Sequence, residues 1–260
     1  MPIRNPLTVL PPVPRAISQQ VVFCDFDGPI VDVSERYYQT YLKGLTAVAQ
    51  VQDGADSRSL RLQPLPKSQF WQMKQNRVAD AEIAALSGLP DNLFKPFMRQ
   101  VERLVNHASL LQWDCIQPTA QSALAHLQQC GLRLVIVTLR HPRQVQAFLQ
   151  AQGLVDLVDA VYGATDINAA YANRVAHKCK LLETAIAQQT AQGHLTQGSW
   201  MIGDTEADVL AGQAMGLPTA ALSCGVRSET YLRQLGPSEV YGCLSTAARD
   251  VVTVMTPQVA

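Results

Sequence analysis

The stretch Val21-Val22-Phe23-Cys24-Asp25-Phe26-Asp27-Gly28 decides how the rest of this chain is read. Four apolar residues in a row suit a strand buried on both faces, as in a parallel sheet, and ligands bind beyond the carboxyl ends of such strands. Here the strand delivers two carboxylates, one residue apart, into a turn opened by glycine. Two like charges at contact distance repel by about 4 kcal/mol at a near-surface dielectric. The pair therefore asks for a metal ion, a shared proton or a part in chemistry. The plain alternative is that Asp25 and Asp27 only cap the helix that follows. Matching groups at three further strand ends weigh against it.

Beyond this turn, Tyr37, Tyr38, Tyr41, Leu42, Leu45 and Val48 recur at helical spacing. Gln52 to Gln63 has no periodicity and reads as a loop. Ser68 is the expected cap of a helix carrying Phe70, Trp71, Lys74, Arg77 and Val78. Gly88-Leu89-Pro90 closes the next piece, and one long helix is expected from about Leu93 to Leu111. From Pro118 the pattern turns into regular alternation. Strands are expected over 134–138, 158–162, 199–203 and 218–222, and helices over 120–129, 142–152, 178–192 and 207–215, with Gly131, Gly153 and Gly216 as stops. Such repetition implies right-handed crossovers and an α/β fold, a parallel sheet with helices on both faces. The first strand belongs to that sheet, so the all-helical block is an insertion after it. The expected division is an extended proline-rich arm over 1–19, an α/β core over 20–32 and 113–260, and a helical domain over 33–112.

The strand ends collect chemistry. Thr138 ends one strand, with Arg140 two residues on; Lys178 opens the helix after the next; Gly203-Asp204-Thr205-Glu206-Ala207-Asp208 ends another. Neighbouring strands lie ~4.8 Å apart, so Asp25, Asp27, Asp204 and Asp208 would crowd together. That donor set suits Mg²⁺, which prefers oxygen ligands and accepts a substrate phosphate. Thr138 offers a hydroxyl and Lys178 a positive charge for phosphate oxygens. Lys180 stands about 200° further round the same helix, so Lys178 is preferred as the active-site lysine.

These motifs, Asp25-x-Asp27-Gly28, strand-ending Thr138, Lys178 and Gly203-Asp204-x-x-x-Asp208 in that order, resemble those of the haloacid dehalogenase (HAD) superfamily. The stretch Gly203 to Pro218 is most similar to the phosphoglycolate-phosphatase-like branch, in which a helical cap follows the first strand. The resemblance covers about residues 20 to 240. It implies a Rossmannoid core, Asp25 as nucleophile forming an aspartyl-phosphate, and Asp27 as acid and then base. It also implies Mg²⁺ held by Asp25, the backbone carbonyl of Asp27, Asp204 and Asp208, with Thr138 and Lys178 on the phosphate. A second acid at Asp27 separates phosphatases from dehalogenases. Pro29 departs from the family's usual threonine and removes a hydroxyl and an N–H from the turn. A phosphatase acting on a small phosphorylated metabolite is the leading expectation. A sugar phosphomutase of the β-phosphoglucomutase type uses the same motifs, and a non-catalytic phospholigand-binding module would lack the nucleophile or the acid.

Composition limits the partners. The 260 residues are 47% hydrophobic and 16% charged, with 21 basic against 21 acidic side chains. This describes a globular chain without the basic field that would recruit nucleic acid or anionic lipid. The six cysteines include no C-x-x-C pair, which fits a reducing, cytoplasmic compartment better than a zinc site or a disulfide framework. Five prolines within the first fourteen residues interrupt any signal-peptide core, and no apolar run is long enough to span a bilayer. Among weaker candidates, Lys74 and Arg77 share a helix face and could bind a second anionic group of the substrate, against an ordinary solvated face. Arg140 is close enough to Thr138 to reach the same pocket. Trp71 and the tyrosines at 37, 38 and 41 read as core, and His141 and His177 as structural.

Overall fold

A computed structural model describes residues 18–53 and 60–255. Residues 1–17 of the proline-rich arm, and 54–59 of the polar loop, lie outside the described residues. The chain begins with β1 (Val21–Cys24) and a short β2 (Val31–Asp32). Five helices follow: α1 (Ser34–Asp53), α2 (Lys67–Gln75), α3 (Asp80–Leu86), α4 (Asp91–Leu104) and α5 (Ala108–Leu111). Then come β3 (Cys115–Ile116), α6 (Ala120–Gln129), β4 (Arg133–Thr138), α7 (Pro142–Ala151), β5 (Ala160–Gly163), the short α8 (Ala169–Ala172) and α9 (Val175–Ala191). The chain continues through β6 (Met201–Gly203), α10 (Glu206–Ala214), β7 (Thr219–Leu222), α11 (Glu229–Gln234), β8 (Glu239–Tyr241) and α12 (Leu244–Met255).

Six strands pair in the order β5-β4-β1-β6-β7-β8, every neighbour parallel. The chain builds outward from β1 through β4 to β5 and then returns to lay β6, β7 and β8 on the other side. β1 is thus the switch point of a doubly wound sheet, and the crevice at its carboxyl end is where such folds bind ligands. Alternation along β1 serves two layers: Val22 and Cys24 pack with α6, α7 and α12, and Val21 and Phe23 with α9 and α10. All four are fully buried, which is why the strand reads as an unbroken apolar run.

Helices α1 to α5 surround a second core of Tyr41, Leu45, Val48, Phe70, Ile83, Phe97 and Val101. The two chain crossings into this insertion are fastened by β2 and β3, which pair antiparallel through Val31–Ile116 and Asp32–Cys115. The α/β fold with its helical insertion matches the sequence expectation; several details differ. Ser68 lies inside α2, whose cap position is Pro66. The expected long helix to Leu111 breaks at 105–107, where His107 caps α5 through its ring nitrogen, and Ala108 is exposed. Arg77 lies beyond α2 and does not share a helix face with Lys74. Lys178 stands in the first turn of α9, three residues after its start. No helix among the described residues is long and apolar enough to cross a membrane.

Candidate active site

Asp25 follows the last residue of β1 and is buried. Its Oδ1 accepts the Phe26 N–H at 2.7 Å and pairs with Lys178 Nζ at 2.9 Å. Lys178, fully buried, also donates to the Val137 carbonyl (2.8 Å) and pairs with Asp208 Oδ1 (2.7 Å). One ammonium therefore joins the ends of β1 and β4 to α10. Burial alone would lower the lysine's pKa, but Asp208 and Asp25 outweigh it and hold the pKa above its ordinary value. Lys180 is exposed, so the sheet selects between the two lysines by the helical rotation expected from their spacing.

Asp204 follows β6 and is fully buried. Its Oδ2 accepts the Val226 N–H at 2.5 Å, and its Oδ1 has no hydrogen-bond partner among the described residues. Two glycines make room for it: a β-carbon on Gly28 or on Gly225 would collide with the Asp204 carboxylate. Gly28 also has φ +95°, a conformation that glycine adopts without cost. Asp208 has two duties. Its Oδ2 caps α10, accepting the N–H groups of Asp204 (3.2 Å) and Thr205 (3.0 Å) and the Thr205 hydroxyl (2.8 Å), while Oδ1 faces Lys178.

Oxygens of Asp25, Asp204 and Asp208 lie within 4.8 Å of one another. Three buried carboxylates against one ammonium leave an excess of negative charge. Burial, followed by Asp208, pushes Asp25 up to about 7. Burial, then Asp208 and Asp25, push Asp204 well above the carboxylate range. An all-oxygen donor set, an orphaned carboxylate oxygen and uncompensated charge fit a hard divalent cation.

The Asp27 side chain points elsewhere. Its Oδ2 pairs with Arg36 (2.9 Å) and its Oδ1 with Arg140 (3.1 Å). Both arginines also pair with Asp114, at 2.9 and 2.6 Å. Arg140 is thus committed to Asp27 and Asp114 and lies over the Phe26 ring. Arg36 and Asp114 carried no signal in the sequence, because nothing in an isolated helix or strand entry announces an ion pair formed across the fold.

The cleft above these groups is lined by Asp25, Asp27, Thr138 and Arg140 on the sheet side and by Tyr37, Lys74, Arg77 and Asp80 from the insertion. Tyr171, Asn173 and Arg227 also line it. Lys74 is matched by Asp80 at 2.7 Å, and the Tyr171 hydroxyl donates to the same carboxylate (3.0 Å). Arg77, with an exposed side chain, and the buried Arg227 share Glu206, at 3.0 and 2.7 Å. Two guanidinium groups against one carboxylate leave that rim positive. Glu206 and Arg227 also went unnoticed in the sequence, although Glu206 sits inside the Gly203–Asp208 motif.

A doubly wound parallel sheet with an acidic cluster at its switch point and a helical insertion after β1 defines an α/β enzyme with its chemistry at the strand ends. The chain belongs to the haloacid dehalogenase-like hydrolases, whose family model matches residues 21–222, and it stands among the phosphatases of that family. It is 31% identical over 246 residues to a phosphoglycolate phosphatase of Psychrobacter arcticus, covering 86% of this chain and 92% of that protein. It is 29% identical over 114 residues to pyrophosphatase PpaX of Halalkalibacterium halodurans, covering 44% of this chain and 49% of that protein. A haloacid dehalogenase-like family hydrolase from Streptococcus pneumoniae shares the fold, with a TM-score of 0.64 at 16% identity over 90% of this chain and 99% of the other.

Proposed function

We propose that this chain is a Mg²⁺-dependent phosphatase that hydrolyses a small phosphorylated metabolite through an aspartyl-phosphate on Asp25. The setting of Asp25 carries the reading. Phe26 N–H and Lys178 fix its Oδ1, while Oδ2 takes no hydrogen bond among the described residues, in a carboxylate that lines the cleft. A carboxylate held on one side only is poised as a nucleophile.

Asp25 attacks phosphorus as the bond to the leaving oxygen breaks, and Asp27 gives that oxygen a proton. Asp27 then takes a proton from the water that hydrolyses the aspartyl-phosphate. The Thr138 hydroxyl holds a phosphate oxygen through both steps, and Lys178, held by Asp25, Asp208 and the Val137 carbonyl, supplies its positive charge from beneath the cleft. Asp25, the Asp27 carbonyl, Asp204 and Asp208 would hold Mg²⁺, which supplies positive charge against the nucleophile and the phosphate. Helices α1 to α5 serve as a cap over residues 33–112 that excludes bulk water and limits substrates to small molecules, above a core of 20–32 and 113–260. The positive rim at Arg77 and Arg227 supports a substrate with a second anionic group, which suits the phosphoglycolate named for the Psychrobacter relative. Six free cysteines support a cytoplasmic setting.

Hydrolysis of 4-nitrophenyl phosphate tests the chemistry. Mg²⁺ should support turnover, and EDTA or Asp25→Asn should reduce it by a factor of ~10³ or more. Equal rates in all three samples would refute the mechanism. Transfer of the enzyme-bound phosphate to a sugar phosphate in preference to water would instead assign a phosphomutase.

A further inference from the structure

We propose that Arg36 and Asp114 are positioning residues for Asp27, aiming its acid–base carboxylate through an ion network that also fastens both ends of the helical insertion. The inference rests on the acid–base reading of Asp27 given above.

Two guanidinium groups and two carboxylates alternate in a closed ring. Asp27 Oδ2 meets Arg36 at 2.9 Å, Arg36 Nε meets Asp114 Oδ1 at 2.9 Å, Asp114 Oδ2 meets Arg140 at 2.6 Å, and Arg140 Nε returns to Asp27 Oδ1 at 3.1 Å. The side chains of Arg36, Asp114 and Arg140 are 1% exposed, whereas that of Asp27 is 14% exposed. The ring therefore meets the cleft chiefly through the one member that has a proton to move. Buried ion pairs of this kind seldom stabilise a fold better than apolar packing of the same volume, so stability alone does not account for four of these groups in one place.

The members come from the places where the chain crosses between sheet and insertion. Arg36 lies in the first turn of α1, just after β2, and Asp114 directly precedes β3. The Arg36 NH1 also donates to Asn106 Oδ1 (2.8 Å) and to the Val105 carbonyl (3.3 Å), in the break between α4 and α5. Asp27 Oδ2 accepts a hydrogen bond from Arg36, whereas Oδ1 lies in ion-pair contact with Arg140 without a hydrogen bond, so its lone pairs stay open to the leaving oxygen or water. A hydrogen bond on Oδ2 and a facing guanidinium on Oδ1 together fix the plane of the carboxylate, and general acid catalysis requires such an orientation. Neither Arg36 nor Asp114 lines the cleft, so both act through Asp27 and not on the substrate.

The test compares two aryl phosphates. The 4-nitrophenolate departs without a proton, whereas phenolate, with a conjugate acid of pKa about 10, needs one. In Asp114→Asn, kcat/KM, which reports formation of the aspartyl-phosphate and not its hydrolysis, should fall at least about tenfold further for phenyl phosphate than for 4-nitrophenyl phosphate. Asp27→Asn, run alongside, should show the same split. Arg36→Lys keeps the charge but loses the planar fork, and it should show a smaller split; it carries the test if Asp114→Asn does not fold. Equal losses on both substrates, or no loss, would overturn the positioning role while a split in Asp27→Asn stands. If Asp27→Asn itself shows no split, the acid–base reading of Asp27 fails instead.

Discussion

At the scale of single residues, the site is a cluster of like charges that the fold holds together against repulsion. Asp204 is the clearest case: fully buried, with Oδ1 unpartnered among the described residues and two acidic neighbours. Asp204→Asn replaces a carboxyl whose ionised form burial, Asp208 and Asp25 disfavour with a neutral amide. The variant should therefore melt about 2–4 °C above the wild type in EDTA, as a gain of ~1 kcal/mol would give, while losing most activity and its stabilisation by added Mg²⁺. Thermal melts with and without Mg²⁺ check this, and a lower melting temperature in EDTA would show that repulsion does not govern stability there. The carboxylates, Thr138 and Lys178 were legible in the sequence because each ends a strand or opens the helix behind one. Arg36, Asp114 and Arg227 were not legible, because each gains meaning only from partners 9 to 78 positions away, on other elements of the fold.

At the scale of elements, the turn that ends α2 is the most informative. The Val78 N–H donates to Met73 O and the Arg77 N–H to Lys74 O, a Schellman ending in which the left-handed position is filled by Arg77 at φ +62°. Glycine is the usual residue there, and a side chain costs about 1 kcal/mol. Retaining arginine at a strained position beside the cleft is consistent with use of its side chain. Arg77→Gly should leave stability within about 1 kcal/mol of wild type, since backbone relief offsets an exposed ion pair worth about as much. It should raise KM several-fold for 2-phosphoglycolate relative to 4-nitrophenyl phosphate. Steady-state kinetics on both substrates decide it, and an unchanged KM ratio removes Arg77 from substrate binding. Lys74, matched by Asp80, should matter less in the same assay. The sequence placed α2 correctly but ran it on through Arg77, because helical spacing of apolar residues gives no warning of a left-handed turn.

At the scale of the whole molecule, sheet and insertion meet through the loop after β7. The Ser228 N–H donates to Gln75 O, Gln75 Nε2 to the Gly225 carbonyl, and Arg227 pairs with Glu206 beneath Arg77. The same loop holds Asp204 through Val226 N–H, so contact with the insertion and shaping of the acidic cluster share one segment. Burial raises the Glu206 pKa, but hydrogen bonding and charge from Arg227 outweigh it and hold the carboxyl below its ordinary 4.5. A carboxyl with a lowered folded-state pKa contributes stability above its unfolded value, and loses it as pH falls through the folded one. Glu206→Gln should therefore unfold more readily than wild type at pH 7, with the gap closing as pH drops below about 4.5. Denaturant midpoints at the two pH values check this, and a gap that persists at low pH would show that the pair contributes nothing by charge.

The sequence by itself determined the doubly wound sheet, the helical insertion after β1 and the acids at the strand ends. Apolar runs, helical spacing and glycine stops are local signals, and a parallel sheet gathers strand ends on one side whatever the loops do. Only the tertiary structure decided how Asp25, Asp27, Asp204 and Asp208 divide their work. Asp25, Asp204 and Asp208 face one another around Lys178, whereas Asp27, two residues from Asp25, turns into a ring of arginines. That division depends on which distant charges folding brings within about 3 Å, and Coulomb energy follows distance in space, not separation along the chain.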